Sequence, residues 1–393
     1  MSASTQGAAA LDAANPGSAA TGEEFRDDLR AMPAAAAVAG PAAAGSGNAA
    51  ARRLLTTEEL APLTRLNDVR SVLAMAQTFG LITLAVIGGL WGLRALIGGD
   101  GEVGLWSGGL SLLAAVVTIG VCQHGLFILA HEAAHYRLLA HRGLNDVMGR
   151  LIGMASGISM CTYRVIHRLH HNHLFGPQDP DTAIHGGYPR GIAYLWKKLA
   201  QDLVGWNAWK TYAYFFGAPA IAADDGQLQR SSHNALNDTS PKLRAEARAD
   251  RWWVLGFQLL LPLVLLVVGG WLALAPYALL WLLPLLSVLQ PILRLRAICE
   301  HGAVNDVSSP LRAARSNRTG GAWLNRVGRV LLFPHHVNYH LEHHLYPAVP
   351  HYHLPQLHRL LRQKGVFEHG AEVRDLSDTF GRIFAVRRRP APT

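Results

Sequence analysis

The longest apolar run in the chain extends from Trp252 to Leu293, 42 residues without a single Asp, Glu, Lys or Arg. As one helix it would measure about 60 Å, twice the roughly 30 Å of a bilayer's hydrocarbon core, so it has to fold back once. Ala275 and Pro276 sit near its middle and are the natural place for the turn, predicting spans over Trp253–Leu274 and Tyr277–Leu293. An earlier pair covers Val72–Ile97 and Gly104–Ala130, parted by the short turn at 98–102, GGDGE. The expected fold class is therefore an all-α integral membrane protein with four transmembrane helices in two hairpins.

Basic residues orient those hairpins, because cytoplasmic flanks carry the Lys/Arg excess. Arg52, Arg53, Arg65 and Arg70 precede the first span, and Arg137, Arg142 and Arg150 follow the second. Arg251 precedes the third, and Arg294 and Arg296 follow the fourth. Neither hairpin turn holds a Lys or Arg, and Arg94, near the end of the first span, can snorkel. Both termini are expected in the cytoplasm, of a bacterial inner membrane given the Ala/Arg-rich composition. Everything between the second and third spans, and everything after the fourth, then faces that same side as a helical cap.

Outside the spans the pattern is more varied. Residues 1–50 contain 19 Ala broken by Pro, Gly and Ser, the composition of a disordered segment rather than of a signal peptide. Residues 51–370 read as one membrane domain and 371–393 as a basic tail with Arg387, Arg388 and Arg389. The apolar run from Arg150 to Tyr163 is too short to span and reads as a re-entrant or buried helix. Ile192–Ala223 mixes Lys197, Lys198 and Lys210 with Trp196, Trp206, Trp209, Tyr212, Tyr214, Phe215 and Phe216, as in an interfacial helix, or the wall of a lipid site. Asp224–Arg251 is hydrophilic and is expected to be a solvent-facing connection.

Composition supports the membrane setting: half the residues are hydrophobic, 16% are charged, and mean hydropathy is +0.14. A net charge of +9 does not require nucleic acid, since the basic residues flank spans, where anionic headgroups account for them. Cys122, Cys161 and Cys299 are far apart and form no CxxC, so buried free thiols are expected rather than a disulfide framework or an iron–sulfur module.

Histidine changes the picture. His131 and His135 stand in HEAAH, His167, His170 and His171 in HRLHH, and His340, His343 and His344 in HLEHH. With 20 His in 393 residues about 0.05 copies of HxxHH are expected by chance, and there are two. Residues three and four apart share a helix face, so each group presents ligands to one side. The charge-derived topology puts all three groups on one membrane face. HEAAH alone is also the zinc metalloprotease signature, with Glu132 as general base. Catalytic zinc takes three protein ligands and a water, which leaves both HxxHH groups unexplained. A zinc transporter would carry its ligands within the spans rather than beyond their ends. Two irons match the ligand count best, since imidazole fields without thiolate suit non-haem iron, and the chemistry that joins such a site to a bilayer is oxidation of an unactivated C–H bond with O2. Whether a double bond or an alcohol results is a matter of geometry.

The chain resembles the integral membrane fatty acid desaturases, within the wider group of three-histidine-box desaturases and hydroxylases, from about Leu81 to Leu361. HEAAH resembles the first box, YRVIHRLHHNHLFGPQDPDT (163–182) the second with its trailing DPD, and NYHLEHHLYPAVPHYHLPQLHRLL (338–361) the third. RLRAICEHG, ending at Gly302, resembles the family's extra histidine after the last span and implies His301 as a ninth ligand. The resemblance makes His131, His135, His167, His170, His171, His301, His340, His343 and His344 the ligands of a non-haem di-iron centre, with O2 as co-substrate. It departs at Ala297, where some relatives place an Asn that holds a metal-bound water. It implies desaturation of a fatty acyl chain in a membrane lipid or acyl thioester; hydroxylation or ketolation of a lipid or carotenoid is the alternative. Electrons are expected from a separate ferredoxin- or rubredoxin-type donor, because the chain carries neither an HPGG haem motif nor a dinucleotide-binding glycine fingerprint.

Neighbouring residues are given lesser roles. Glu132, Glu300, Glu342, Asp179 and Asp181 are candidates for orienting ligating imidazoles, with an exposed carboxylate an equal alternative for Glu342. His124 is expected to be a packed span residue, His173, His335 and His336 to lie beside the ligands as supporting or solvated groups, and His351, His353 and His358 to decorate a surface helix.

Overall fold

The computed structural model describes residues 54–98, 101–176, 179–185, 187–218, 240–304 and 306–385. The Ala-rich start, most of the hydrophilic stretch after 218, and the Arg387–Arg389 tail lie outside the described residues. Within them helices dominate, and the strands are two short parallel ones, Ser316–Asn317 and Val373–Arg374.

Four helices are long and apolar enough to cross a membrane: α1 (Asp68–Gly98), α2 (Gly101–Ala134), Pro241–Gly269 and the kinked Trp271–His301. Their surfaces match a lipid solvent. Leu84, Ile87, Leu259 and Val268 are among the bare apolar side chains, and only 6% of the most apolar window of the third helix is buried in protein. α1 and α2 approach through glycine: a Cβ at Gly92 would lie 2.7 Å from the Gly108 carbonyl oxygen, and one at Gly108 would lie 2.8 Å from that of Gly92. Ser111 adds a hydrogen bond from its hydroxyl to the Gly88 carbonyl, 2.8 Å.

The break between the last two membrane helices falls at Gly270, not at Ala275–Pro276. Gly270 takes φ +62° and ψ −165°, a conformation open to glycine alone among the residues nearby, and this outweighs the proline. Pro276 is instead absorbed inside Trp271–Tyr277, which passes into a π-helical turn at Ala278–Leu282 and loosens the ladder that a proline disrupts.

After α2 come α3 (Arg142–Ser156) and α4 (Met160–His173). The apolar run 150–163 is therefore no single helix. It straddles a left-handed Gly157, φ +75°, and a new N-cap at Ser159, whose hydroxyl accepts from Thr162 N–H. α5 (Ile192–Leu203) and α6 (Ala208–Phe215) follow, with Trp196, Trp206 and Trp209 exposed as interfacial residues would be. From Pro241 the expected solvent-facing connection is already the start of α7 (Pro241–Gly269). There buried Asp250 accepts from Ser159 Oγ and Cys161 N–H, both at 3.0 Å, and so ties α7 to the first turn of α4. The fourth apolar helix ends in α8 (Leu289–His301), and α9 (His340–Leu345) and α10 (Leu354–Gln363) follow.

One buried cation fastens α8 to the C-terminal segments. The fully buried Arg315 guanidinium donates to the carbonyls of Cys299 (3.2 Å) and Gly302 (2.9 Å) and to Glu372 (3.3 Å). All three cysteines are buried and free, as expected.

Candidate metal centre

Four elements deliver the histidines. His131 lies in the last turn of α2 and His135 just beyond it; α4 carries His167, His170 and His171; α8 ends on His301; α9 holds His340, His343 and His344. The structure brings all nine together, in two groups. His131, His135, His167, His171 and His343 form one, and His170, His301, His340 and His344 the other, the ligand atoms within each lying within 4.8 Å of one another. Each HxxHH is thus split between groups rather than serving one. Residues four apart stay nearly in line on a helix, while the third falls to one side, so His167 and His171 face the first group and His170 the second. α9 is the complement, giving His340 and His344 to the second group and His343 to the first.

The nitrogen spacings carry the chemistry. Nε2 of His167 is 2.8 Å from that of His135 and 3.0 Å from that of His171, which is in turn 3.0 Å from that of His343. In the second group His301 Nε2 is 3.2 Å from His170 and 2.7 Å from His340, which is 3.1 Å from His344. One ring nitrogen holds either a proton or a lone pair, so such chains cannot all be hydrogen bonds. Two nitrogens each about 2.1 Å from one ion and at right angles around it lie about 3 Å apart. Burial, together with mutual repulsion, holds His167, His171, His340, His343 and His344 well below the ordinary histidine pKa, so their lone pairs are available. Both ring nitrogens of His131 are buried without a hydrogen-bond partner. This donor set fits two cations, and imidazole without thiolate fits non-haem iron.

Supporting groups fix ring orientation. His301 Nδ1–H donates to the Ala313 carbonyl (3.0 Å), leaving Nε2 as the donor towards the second group. His170 Nδ1 pairs with Asp179 at 3.0 Å, and Asp181 stands 3.6 Å away, held by the Tyr214 hydroxyl. Burial alone would lower the His170 pKa, but the two carboxylates outweigh it and lift it to about 9. Glu300 is bound by Arg296 (2.8 Å) and lies 3.6 Å from His340 Nδ1. Glu132 accepts from His351 N–H (2.9 Å), its other oxygen lies 3.4 Å from His131 Nδ1, and the carboxylate is buried rather than a base facing water.

Several residues sit otherwise than expected. Glu342 is buried but pairs with Ser316 Oγ and His358 Nδ1 rather than with a ligating ring, joining the strand Ser316–Asn317 to α10. His358 is therefore not surface decoration, nor are the other two. His351 is buried, and His353 Nδ1 donates to Leu63 O (2.9 Å), because this segment packs under the site. His335 Nε2 meets Thr78 Oγ1 at 3.0 Å. His124 is fully buried and outside the metal groups, as a packed residue would be. His185 went unnoticed in the sequence. It is buried, its Nε2 lies 3.9 Å from Asp179, and with His170 and Asp179 it forms a third candidate group. Its position four residues after Asp181 in DPDTAIH was the available signal. A cavity of about 210 Å3 opens beside the second group, where His170, His185, Ala297, His301 and His340 form part of its wall.

Comparison with known proteins agrees with this geometry. The chain is 27% identical over 239 residues to a dihydrorhizobitoxine desaturase of Bradyrhizobium elkanii, a match covering 60% of this chain and 63% of that protein. It is 28% identical over 133 residues to a beta-carotene ketolase of Haematococcus lacustris, covering 32% of this chain and 39% of the relative. The match thus spans under two thirds of either relative's length. The sequence model of the fatty acid desaturases matches residues 107–376, a stretch that holds every one of the nine clustered histidines, and the chain accordingly belongs to the fatty acid desaturase family of membrane oxidoreductases.

Proposed function

We propose that the nine histidines hold two iron ions and that the protein desaturates a fatty acyl chain presented from the membrane. The observation that supports this most is the division of nine inward-facing imidazoles into five and four around two points. Iron bound there would supply activation of O2 for removal of hydrogen from an unactivated C–H bond. The reaction balances as one CH2–CH2 unit, one O2, two electrons and two protons giving one double bond and two waters.

The protein's own residues do the holding and shielding. The Ala313 carbonyl and Asp179 set the tautomers of His301 and His170, so that each offers Nε2 to the second group. Tyr163, Tyr214 and Phe215 wall the cavity beside the rings and keep water from the reacting carbon. Electrons come, on this reading, from a separate ferredoxin- or rubredoxin-type donor whose acidic face suits a chain of net charge +9. The basic flanks of the spans favour a cytoplasmic position for the histidines.

Ketolation or hydroxylation by the same centre is the second reading, favoured by the likeness to a beta-carotene ketolase. The metalloprotease reading loses ground because Glu132 is engaged by His351 N–H. Expression in a host with a simple lipid profile, followed by mass spectrometry of its lipids, separates these. Loss of two hydrogens, abolished by His170→Ala, is expected; gain of one oxygen would replace desaturation by hydroxylation, and a cleaved peptide would overturn both.

A further inference from the structure

The helix Trp323–Leu331 turns its apolar residues outward. Trp323, Val327, Val330 and Leu331, at i, i+4, i+7 and i+8, form one stripe and are 73%, 39%, 64% and 38% exposed. Of the helix's apolar residues only Leu324 packs against the core. The face that meets the protein is polar and small instead. Asn325 is buried there, donating through Nδ2 to Asp375 (2.9 Å) and the Gly320 carbonyl (2.8 Å) and accepting from Leu376 N–H (2.9 Å), and a Cβ at Gly328 would lie 2.5 Å from Leu376 Cδ2. In water the stable choice is the opposite one, with the stripe buried and the amide wet. A hydrocarbon solvent reverses that preference, and an inward Asn with both sides of its amide paired then follows.

Hydrocarbon is what the surroundings of this helix supply. The helix holds no Asp or Glu but two exposed arginines, Arg326 and Arg329, and joins them to a tryptophan and an aliphatic stripe, the pattern of helices that lie on a membrane. The chain leaving it meets the spans. His335 Nε2 is 3.0 Å from Thr78 Oγ1 of α1 and would lie 3.5 Å from a Cβ at Gly125 of α2. Thr78 is six residues, about 9 Å of helix rise, inside the Val72 start of the first apolar span, and Gly125 is five residues, about 7 Å, short of Ala130 at the end of the second. Four residues after the helix, the chain is therefore at leaflet depth. A second copy of the chain is a poor match for the stripe: four side chains on a helix about 14 Å long fall far short of the roughly 800 Å2 per partner of a stable protein interface.

We infer that Trp323–Leu331 is an in-plane membrane helix: the stripe of Trp323, Val327, Val330 and Leu331 lies among the acyl chains of the leaflet nearest the histidines, with Arg326 and Arg329 at the headgroups. Its partner is the lipid surface itself. The consequence reaches the metal centre, because α9, which carries His340, His343 and His344, begins nine residues after this helix ends. The third histidine group is thus tethered to the leaflet by a helix that does not cross it, whatever reaction the histidines perform.

The test uses full-length protein in phosphatidylcholine nanodiscs and power-saturation EPR, with one nitroxide at a time on Val327→Cys, Val330→Cys, Arg326→Cys or Gln363→Cys. The native cysteines are buried and free, and wild-type protein taken through the labelling serves as the blank. Labels at Val327 and Val330 should collide severalfold more with oxygen, which concentrates in hydrocarbon, than with a water-soluble nickel chelate. The label at exposed Gln363 should show the reverse, and that at Arg326 should fall between. Nickel reaching the Val330 label as freely as the Gln363 label overturns the inference. Exclusion of both relaxants from the Val330 label also overturns it, since protein then covers the stripe, a second copy where the labels broaden one another. Trp323→Phe compared with wild type in discs of dibrominated phosphatidylcholine asks the same question without a label. Bromine-quenched emission should fall in the variant, and an unchanged quenched fraction overturns the placement.

Discussion

A single ring, His170, shows how much each residue of the site depends on its neighbours. Its Nε2 faces His301 at 3.2 Å while Nδ1 is held at 3.0 Å by Asp179, whose other oxygen accepts from Phe175 N–H (2.8 Å). Asp179→Asn keeps the shape and removes the charge that favours a donating Nδ1–H, so iron affinity should fall about 10–100-fold, read by competition with a chelator. Unchanged affinity would mean that the carboxylate does not support a ligand. That the three histidine motifs gather at one place was legible in the sequence because i,i+4 spacing is a one-dimensional record of a helix face, whereas His301 was legible only through the family resemblance. The division of each HxxHH between two groups was not, since it depends on how α4 and α9 are rotated about their axes. Glu342 and His358 escaped for a related reason: their pairing joins residues whose proximity is set by the packing of α9 against α10.

Among the elements, the α1–α2 pair depends most visibly on small residues. A side chain at Gly92 meets the backbone of α2, whereas Gly80 on the same helix has nothing within 4 Å of an added Cβ. Gly92→Val should therefore destabilise by about 1–3 kcal/mol through forced separation of the helices. Gly80→Ala should cost nothing, or stabilise slightly through helix propensity. Thermal unfolding in detergent compares them, and equal effects would contradict the close approach. Hydropathy located all four membrane helices but misplaced the break between the last two. Composition weights Pro276 as the stronger breaker, while the deciding fact, a positive φ at Gly270, is conformational. Similarly, the polarity of residues 241–251 suggested a loop; Asp250, anchored at the start of α4, shows that polarity serving an internal contact instead.

For the whole molecule, the arrangement of spans and clusters makes a topological claim. If the histidine cap is cytoplasmic, a cysteine placed at exposed Glu102 should react with a membrane-impermeant thiol reagent in intact spheroplasts, and one at exposed Asp378 only after lysis. The reverse pattern would invert the orientation without disturbing the site. The site's central claim is that nine imidazoles around two points hold two ions of one kind. Metal analysis of the purified full-length protein tests it most directly: two iron atoms per chain, falling in His170→Ala, are predicted, whereas a single zinc per chain, or iron content unaffected by that substitution, would contradict the account.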